Sequence, residues 1–163
     1  MSGEELLYQL GHDDAVGRMA AAAALAGRTG DPAVVSALKK AAASDPFWAV
    51  RRAALESLAK AEGGPWAAFF KERSIDSNSR VRAAAVRALG DRRDNALIPF
   101  FRERFAKDDS YVAQAECLNA LGKCGNRSVV LFLQKASALA SPRGMLKRAA
   151  EAALKALSAA AVK

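Results

Sequence analysis

Histidine and cysteine are scarce in this chain of 163 residues, which contains one histidine and two cysteines. A zinc site of the H-E-x-x-H type needs two histidines one helical turn apart, so His12 alone cannot form one. Cys117 and Cys124 are too few for a disulfide framework, and their spacing is not that of a metal site. We therefore expect no metal, no cofactor and a reducing, cytoplasmic environment.

Proline, glycine and long apolar runs are also limited. The five prolines and eleven glycines form no low-complexity linker, and Gly63-Gly64 precedes a proline instead of opening a phosphate-binding loop. No apolar run is long enough to span a bilayer, and no secretory signal peptide opens the chain. We expect a single domain over residues 1–163 that does not contact a membrane.

Charge is distributed unevenly along the chain, whose formal net charge is +8. Residues 1–46 hold four Lys or Arg and six Asp or Glu, whereas residues 47–163 hold 21 and 11. A basic excess of this kind is typical of proteins that bind nucleic acid or an acidic partner. The simpler interpretation, which we favour, is a solvated basic face on an alanine-rich helical protein.

An internal repeat is the strongest pattern in the sequence. Five segments of thirteen residues align without gaps: DDAVGRMAAAAAL (13–25), PFWAVRRAALESL (46–58), SNSRVRAAAVRAL (77–89), DSYVAQAECLNAL (109–121) and PRGMLKRAAEAAL (142–154). Their closing leucines recur every 31 to 33 residues. A period this regular indicates a repeat architecture.

Each segment predicts one helix with a buried stripe. The fifth, ninth, twelfth and thirteenth positions are apolar or small, and they follow the i, i+4, i+7, i+8 spacing of one helical face. Because alanine is the commonest of these residues, we expect close packing between inner helices. Bulkier amphipathic stretches lie between the segments, at 3–10, 31–43, 64–73, 95–107 and 126–140.

The combined pattern predicts ten helices in five antiparallel pairs, which is an all-α solenoid. The predicted repeats cover about 3–27, 31–61, 64–90, 94–122 and 126–158. Asp31-Pro32, Gly64-Pro65 and Asn126 are typical helix starts. Pro99 lies one turn inside its stretch, so that helix either starts late, near Ala96, or kinks.

The sixth position of each segment points to a structural role for its basic residues. It holds a base or an amide, and a cap or turn residue stands six positions earlier. Stacked repeats would bring each base close to the acid of an adjacent turn and would form charge-assisted hydrogen bonds between repeats. We name this set the structural ladder: Arg18, Asp45, Arg51, Asp76, Arg82, Asp108, Gln114 and Lys147.

Candidate nucleophiles have no evident partner in the sequence. Cys117 occupies the buried ninth position, where other segments have alanine, and is interpreted as a small core residue. We expect Cys124, which follows Gly122 in a predicted turn, to be partly exposed. His12 lies where other repeats have Asp and is assigned a capping or turn role. We therefore predict no catalytic site.

The pattern Asp-x(4)-Val-Arg-x-Ala-Ala-x(3)-Leu resembles HEAT-like repeats, particularly the short kind also seen in phycobilisome lyase proteins. The period near 32 residues fits that short kind, because ordinary HEAT repeats have roughly 40–47.

A narrower resemblance is to the C-terminal HEAT-like domain of bacterial aminopeptidase N-type zinc metallopeptidases. It extends over about residues 4–157 and is clearest in LLYQLGHDDAVGRMAAAAAL (6–25), DPFWAVRRAALESLAK (45–60) and DDSYVAQAECLNALGKCG (108–125). Phe47-Trp48 and Tyr111 are its most specific features. This resemblance implies a helical scaffold that packs on a separate catalytic domain and supplies no zinc ligand. We accordingly expect that the chain is not an enzyme and is either a fragment of a larger one or a separate reading frame.

Two alternatives remain open at this stage. The first is a standalone module that binds an acidic protein. The second is a nucleic-acid-binding solenoid, which is disfavoured because the aromatic residues are not interleaved with basic ones for base stacking. The residues predicted to contact a partner are Trp48, Arg52, Arg87, Tyr111, Arg148 and Lys155.

Overall fold

All regular structure in the described part of the chain is helical. The structure is a computed structural model that describes residues 1–61 and 66–160. Within these residues it contains ten α-helices, four short 3₁₀ turns and no strand. The helices are α1 (Gly3–His12), α2 (Ala15–Ala24), α3 (Pro32–Ser44), α4 (Trp48–Leu58), α5 (Trp66–Arg73), α6 (Ser79–Gly90), α7 (Ile98–Lys107), α8 (Tyr111–Cys124), α9 (Val130–Ser137) and α10 (Met145–Ala160). The prediction of an all-α fold with ten helices is confirmed.

The helices gather into two compact units, Met1–Ala85 (unit 1) and Val86–Lys163 (unit 2), whose boundary falls inside α6. In unit 1, α1 packs on α2, α3 packs on α4, and the inner helices α2 and α4 pack on each other. In unit 2, α8 packs on α7 and α10, and α10 packs on α9. The single domain over 1–163 and the exact repeat boundaries stay predictions.

Most of the predicted helix starts agree with the structure. The Asp31 carboxylate accepts a hydrogen bond from the Ala33 N–H at 2.8 Å, and the Asn126 side chain accepts one from the Ser128 N–H at 2.8 Å. Of the two alternatives for Pro99, the late start is found, since a 3₁₀ turn precedes α7 and Pro99 lies in the first turn of that helix. The predicted start at Gly64-Pro65 lies outside the described residues.

The predicted buried positions of the inner helices form the core. All four are buried in the second, third and fourth segments, including Val81, Ala85 and Leu89 of α6 at 0% exposure. The exceptions are in the two end segments, where Gly17 and Leu154 are half-buried and Ala24 is exposed. The three middle segments therefore bury this stripe fully, and the two end segments do not.

Glycine allows two pairs of neighbouring inner helices to approach each other closely in unit 2. A Cβ atom built on Gly122 of α8 would lie 2.6 Å from the Cα atom of Ala153 on α10. A Cβ atom on Gly90 would lie 2.8 Å from the Cβ atom of Ala120 on α8. Since carbon atoms do not approach to these distances, both positions require a residue without a side chain.

The odd-numbered helices supply the bulky part of the core. Phe70 of α5 and Phe101 of α7 are fully buried, and the rings of Phe105 and Phe132 meet edge to face with centroids 5.4 Å apart. None of the helices among the described residues combines the length and the apolar character needed to cross a bilayer.

Candidate functional site

The sixth-position side chains bind the turn that precedes their own helix. Arg51 donates a hydrogen bond from Nη1 to the carbonyl oxygen of Asp45 at 2.8 Å, and Arg82 does the same to Asp76 at 3.0 Å. Gln114 donates from Nε2 to the Asp108 carbonyl at 3.0 Å. In each case a side chain donor satisfies a carbonyl of the turn, so the side chain fixes where its own helix begins.

In unit 1, Arg18 and Arg51 also reach the acid of the following repeat. Arg18 binds Asp45 through Nε and Nη2 at 2.8 and 3.0 Å, and Arg51 binds Asp76 through the same two nitrogens at 2.9 and 2.8 Å. These bidentate pairs lie largely out of solvent, with the Arg51 and Asp76 side chains 12% and 8% exposed. Each guanidinium therefore ties its own turn to the next one along the chain.

The pKa values of the second pair reflect this arrangement. The hydrogen bond to Asp76 raises the pKa of Arg51. Burial raises the pKa of Asp76, but hydrogen bonds from Arg51 and from the Asn78 N–H, together with the charges of Arg51 and Arg73, outweigh burial and hold that pKa below its ordinary value. Both side chains are therefore ionised at neutral pH.

The contacts of the ladder residues in the fourth and fifth segments differ from those in unit 1. Lys147 is 63% exposed and lies 4.0 Å from Glu151 on its own helix. Its neighbour Arg148 instead donates to the carbonyl of Arg143, a non-glycine residue with a φ of 53°. In the fourth segment, Asp108 pairs with Arg104 of α7 at 3.4 Å. The stabilising role of the ladder stays a prediction.

Two of the predicted partner-binding residues lie together on α4. Trp48 and Arg52 are one helical turn apart, and Glu56 continues the same line and pairs with Arg52 at 2.8 Å. The Arg80 guanidinium of α6 lies 5.0 Å from the centre of the Trp48 ring, and the Phe47 ring lies 5.9 Å from it. We name Phe47, Trp48, Arg52, Glu56 and Arg80 the aromatic–arginine cluster.

The other four predicted residues are in unit 2. Arg87 pairs with Glu116 of α8 at 2.7 Å, and Arg148 donates to the turn before α10. Tyr111 is 42% exposed at the start of α8, and Lys155 is exposed on α10. The structure therefore brings Trp48 and Arg52 into one surface of unit 1, and the other four residues are distributed over α6, α8 and α10 of unit 2.

The contact between Arg80 and Trp48 is the functional feature that sequence reasoning missed. Arg80 is not among the residues that the sequence predicted to contact a partner. A signal was present, since Arg80 holds the fourth position of its segment and Trp48 holds the third position of the preceding segment. Because α4 and α6 are consecutive inner helices, residues at neighbouring repeat positions, such as Trp48 and Arg80, lie at the same end of both helices.

Both cysteines are buried, which corrects the expectation that Cys124 is partly exposed. Cys124 is the last residue of α8, is 5% exposed, and donates through Sγ to the Gly90 carbonyl at 3.4 Å. The helix continues past Gly122, so the predicted turn starts later than expected. Burial raises the pKa of the Cys117 thiol to about 12 and raises that of Cys124 as well. Both thiols are therefore protonated at neutral pH.

We expect both thiols to be alkylated slowly in the folded protein. Because each is buried and protonated, iodoacetamide at mildly alkaline pH should modify them about 100-fold more slowly than in urea, where unfolding exposes them. Mass spectrometry of the intact protein over time measures both rates. Rapid modification of Cys117 in the native protein would contradict this assignment.

Metal-binding side chains are dispersed. Among residues 1–61 and 66–160, no three His, Cys, Asp or Glu side chains lie close enough together to hold an ion. His12 ends α1, where its Nδ1 lies 2.9 Å from the Tyr8 carbonyl and its ring stacks on the Tyr8 ring at 4.5 Å. His12 is therefore the last residue inside α1, and its capping or turn role stays a prediction.

The fold is similar to that of a solved lyase component. A chain from the complex of CpcE and CpcF of phycocyanin lyase from Nostoc sp. PCC7120 matches with a TM-score of 0.75 and 20% sequence identity. The match covers 98% of this chain and 66% of that chain, so this chain spans about two thirds of the length of its structural neighbour. At this level of identity the likeness shows the fold, and it confirms the predicted α-solenoid of helix pairs.

This likeness overturns the prediction that the chain is not an enzyme. The prediction depended on the absence of a familiar catalytic motif and on the interpretation of helical repeats as a scaffold. The same fold, over 98% of this chain, forms part of a phycocyanin lyase. Neither the repeat fold nor the lack of a familiar catalytic motif is therefore a reason to conclude that this chain is not an enzyme.

The narrower resemblance to aminopeptidase N-type metallopeptidases gains no support from these comparisons. The family match and the structural neighbour both concern helical repeats, and neither is linked to a peptidase. A search of curated proteins finds no match.

A family model establishes the class of the repeats. The model of HEAT repeats matches residues 3–70 and again residues 67–155, so its two matches cover most of the chain. The matched regions contain α1 to α9 and most of α10. This agrees with the regular spacing of the closing leucines and with the paired helices of both units. The chain belongs to the HEAT repeat family.

Proposed function

We propose that this chain binds a protein partner through the aromatic–arginine cluster of unit 1. The observation that carries the proposal is the Arg80 guanidinium 5.0 Å from the centre of the Trp48 ring, on a surface where Phe47 is 39% exposed. Trp and Arg are the residue types most enriched among those that dominate binding energy at protein interfaces.

The geometry of the cluster suits a protein surface. Trp48, Arg52 and Glu56 form a line along α4, and Arg80 holds the Trp48 ring from the next inner helix. A side chain held in place loses less entropy when a partner binds, so the ring is already ordered for contact. The rim is charged, with Arg52 43% and Glu56 39% exposed.

The partner we propose is an acidic protein. The chain has a net charge of +8, and the excess of Lys and Arg lies in residues 47–163. Basic surfaces speed association with acidic partners and discriminate against basic ones. The comparisons agree with protein binding, because HEAT repeats stack into extended binding surfaces and the structural neighbour was solved as a complex of two proteins.

Site-specific photocrosslinking tests this proposal. A photoreactive amino acid at Phe47 should crosslink one acidic protein in a lysate of cells that carry the gene, whereas the same group at Ser36, exposed on α3, should not. The captured protein is then purified and its affinity measured directly. We expect Arg80→Glu and Trp48→Ala each to weaken binding at least about tenfold, since anchors at the centre of an interface cost 2 kcal/mol or more when lost.

Lys40→Glu is the matched control, because it makes the same charge change on α3, outside the cluster. It should weaken binding of an acidic partner only slightly, and its effect should disappear at high salt. Equal losses for Arg80→Glu and Lys40→Glu would contradict a specific site, and crosslinking to nucleic acid instead of protein would support the other binding class.

A further inference from the structure

The end of unit 2 exposes a surface that is covered elsewhere in the chain. Leu154 and Leu157 of α10 line an open groove of about 550 Å³, together with Arg127 and Val130. Leu154 is the closing leucine of the fifth segment and is only half-buried. Its four equivalents are fully buried, at 0% exposure: Leu25, Leu58, Leu89 and Leu121. We name this surface, around Leu154 and Leu157, the trailing face.

The start of unit 1 exposes the opposite side of the repeat. Ala24, the twelfth residue of the first segment, is exposed. Its equivalents are buried, at 1% to 4% exposure: Ser57, Ala88, Ala120 and Ala153. Gly17 at the fifth position is also less buried than its equivalents, and Tyr8 of α1 is 67% exposed. We name this surface, formed by α1 and α2 around Tyr8, Gly17 and Ala24, the leading face.

Contacts inside each unit show how a leading face meets a trailing face. In unit 1, the Ser57 hydroxyl at the twelfth position donates to the Ala22 carbonyl of the preceding inner helix at 2.8 Å. In unit 2, Ala153 at the same position packs against Gly122 of the preceding inner helix. In these two repeats the twelfth residue therefore contacts the repeat before it, and Ala24 holds the same position in the first repeat and is exposed.

Charge favours the same pairing. Arg127, Lys147, Arg148 and Lys155 give the trailing face an excess of basic residues over Glu151, which lies 4.0 Å from Lys147, whereas the leading face carries Glu4, Glu5, Asp13 and Asp14. Within unit 1, a base at the sixth position reaches the acid in the turn of the next repeat, as Arg51 reaches Asp76. Lys147 holds the sixth position of the last segment, and Asp13 and Asp14 lie in the turn of the first.

From these observations we propose that a second copy of this chain docks head to tail, with the leading face of one copy on the trailing face of the other. The contact uses the same repeat positions as the packing that already joins neighbouring helix pairs, at a larger distance between the two helices. Lys155 stands where Gly122 lies in the fourth repeat, so the docked helix sits further out and the lysine ammonium is directed to the acidic rim. Because the two faces differ, each copy keeps one face free for the next.

Sedimentation velocity over about 1 to 500 µM protein tests the proposal. We expect the mean mass to rise with concentration beyond a dimer. Leu157→Arg on the trailing face and Ala24→Arg on the leading face should each raise the dissociation constant at least about tenfold. Ala24 is exposed and Leu157 is only partly buried at the edge of an open groove, so circular dichroism melts should match the unmodified protein.

Mixing the two variants gives the decisive result. Each variant keeps one intact face, so an equal mixture should form dimers and stop there, whereas either variant alone stays monomeric. Ile75→Arg is the control, because Ile75 is 68% exposed and belongs to neither face; it should associate like the unmodified chain. Lys147→Glu should weaken association further at low salt than at high salt.

Three outcomes would overturn the proposal. The first is a monomer at every concentration. The second is a dimer that forms from Leu157→Arg alone, which indicates a symmetric contact elsewhere. The third is a different polypeptide that binds at Leu154 and Leu157 while the chain does not self-associate, which assigns the trailing face to a separate partner.

Discussion

Replacement of Gly122 by alanine is expected to destabilise the protein by about 1 to 3 kcal/mol, although alanine is the better helix former. The added Cβ atom would lie 2.6 Å from the Cα and 2.7 Å from the Cβ of Ala153. Since one of these atoms belongs to the backbone, a rotamer change cannot relieve the clash, and α8 and α10 have to move apart. Urea unfolding followed by circular dichroism measures the change.

Gly11→Ala is the matched control for this prediction. Gly11 also lies within a helix, α1, but a Cβ atom there would meet nothing within 4 Å. The same substitution should therefore stabilise the protein by up to about 1 kcal/mol through helix propensity alone. Adding Ala153→Gly to Gly122→Ala should restore part of the lost stability, because it removes one of the two clashing carbon atoms. An unfolding free energy of Gly122→Ala equal to that of the unmodified protein would refute the close approach.

Asp76→Ala is expected to cost about 2 to 4 kcal/mol of unfolding free energy, because it leaves the Arg51 guanidinium largely buried without its carboxylate partner. Asp76 accepts two hydrogen bonds from Arg51 and one from the Asn78 N–H at 2.8 Å, so the turn before α6 is also weakened. Asp76→Ala and Arg51→Ala should be strongly non-additive in a double-mutant cycle, with a coupling above about 1 kcal/mol. Additive effects would refute the ladder.

An exposed ion pair provides the comparison. Glu103 and Lys107 lie one turn apart on α7 at 2.6 Å, with side chains 58% and 64% exposed. Because solvent screens this pair, Glu103→Ala should cost no more than about 0.5 kcal/mol. A similar loss for both substitutions would show that burial of the Arg51–Asp76 pair contributes nothing.

The same pair predicts the direction of a pH effect. The folded-state pKa of Asp76 is lower than its ordinary value of 3.8. Its contribution to stability is therefore complete above about pH 5 and is lost as the pH falls below 3.8 through the lower folded-state value. Asp76→Asn should remove this part of the acid sensitivity, so the stability curves of the two proteins should converge as the pH falls below the folded-state pKa of Asp76.

The sequence was sufficient for the helices and for their buried faces. The spacing of the closing leucines and the alanine-rich stripe predicted the inner helices, and Asp31 and Asn126 marked two of the outer ones. These features are local, because helical periodicity and capping depend on residues within a few positions of each other. The pairing of a base with the acid of an adjacent turn was predicted too, since a repeat fixes which positions of neighbouring copies meet.

Contacts that depend on one particular copy of the repeat could not be predicted. Cys124 is buried because α8 runs two residues past Gly122 and its thiol meets the Gly90 carbonyl. Arg148 replaces Lys147 at the turn carbonyl of the fifth segment, where Arg143 has a left-handed backbone. In both cases one copy of the repeat differs from the other copies. The pattern that the copies share therefore assigns the wrong residue to the contact.

The sequence by itself determined the repeat, the helical class and the apolar face of each inner helix, because periodicity is a property of the chain. Only the tertiary structure decided which side chains of different helices meet: Arg80 with Trp48, Arg87 with Glu116, and Gly122 with Ala153. It also separated the leucines that a neighbouring helix pair covers from Leu154, which is left half-exposed. Such contacts depend on the distance and rotation between packed helices. These follow from the fit of the helix surfaces and not from the spacing of residues along the sequence.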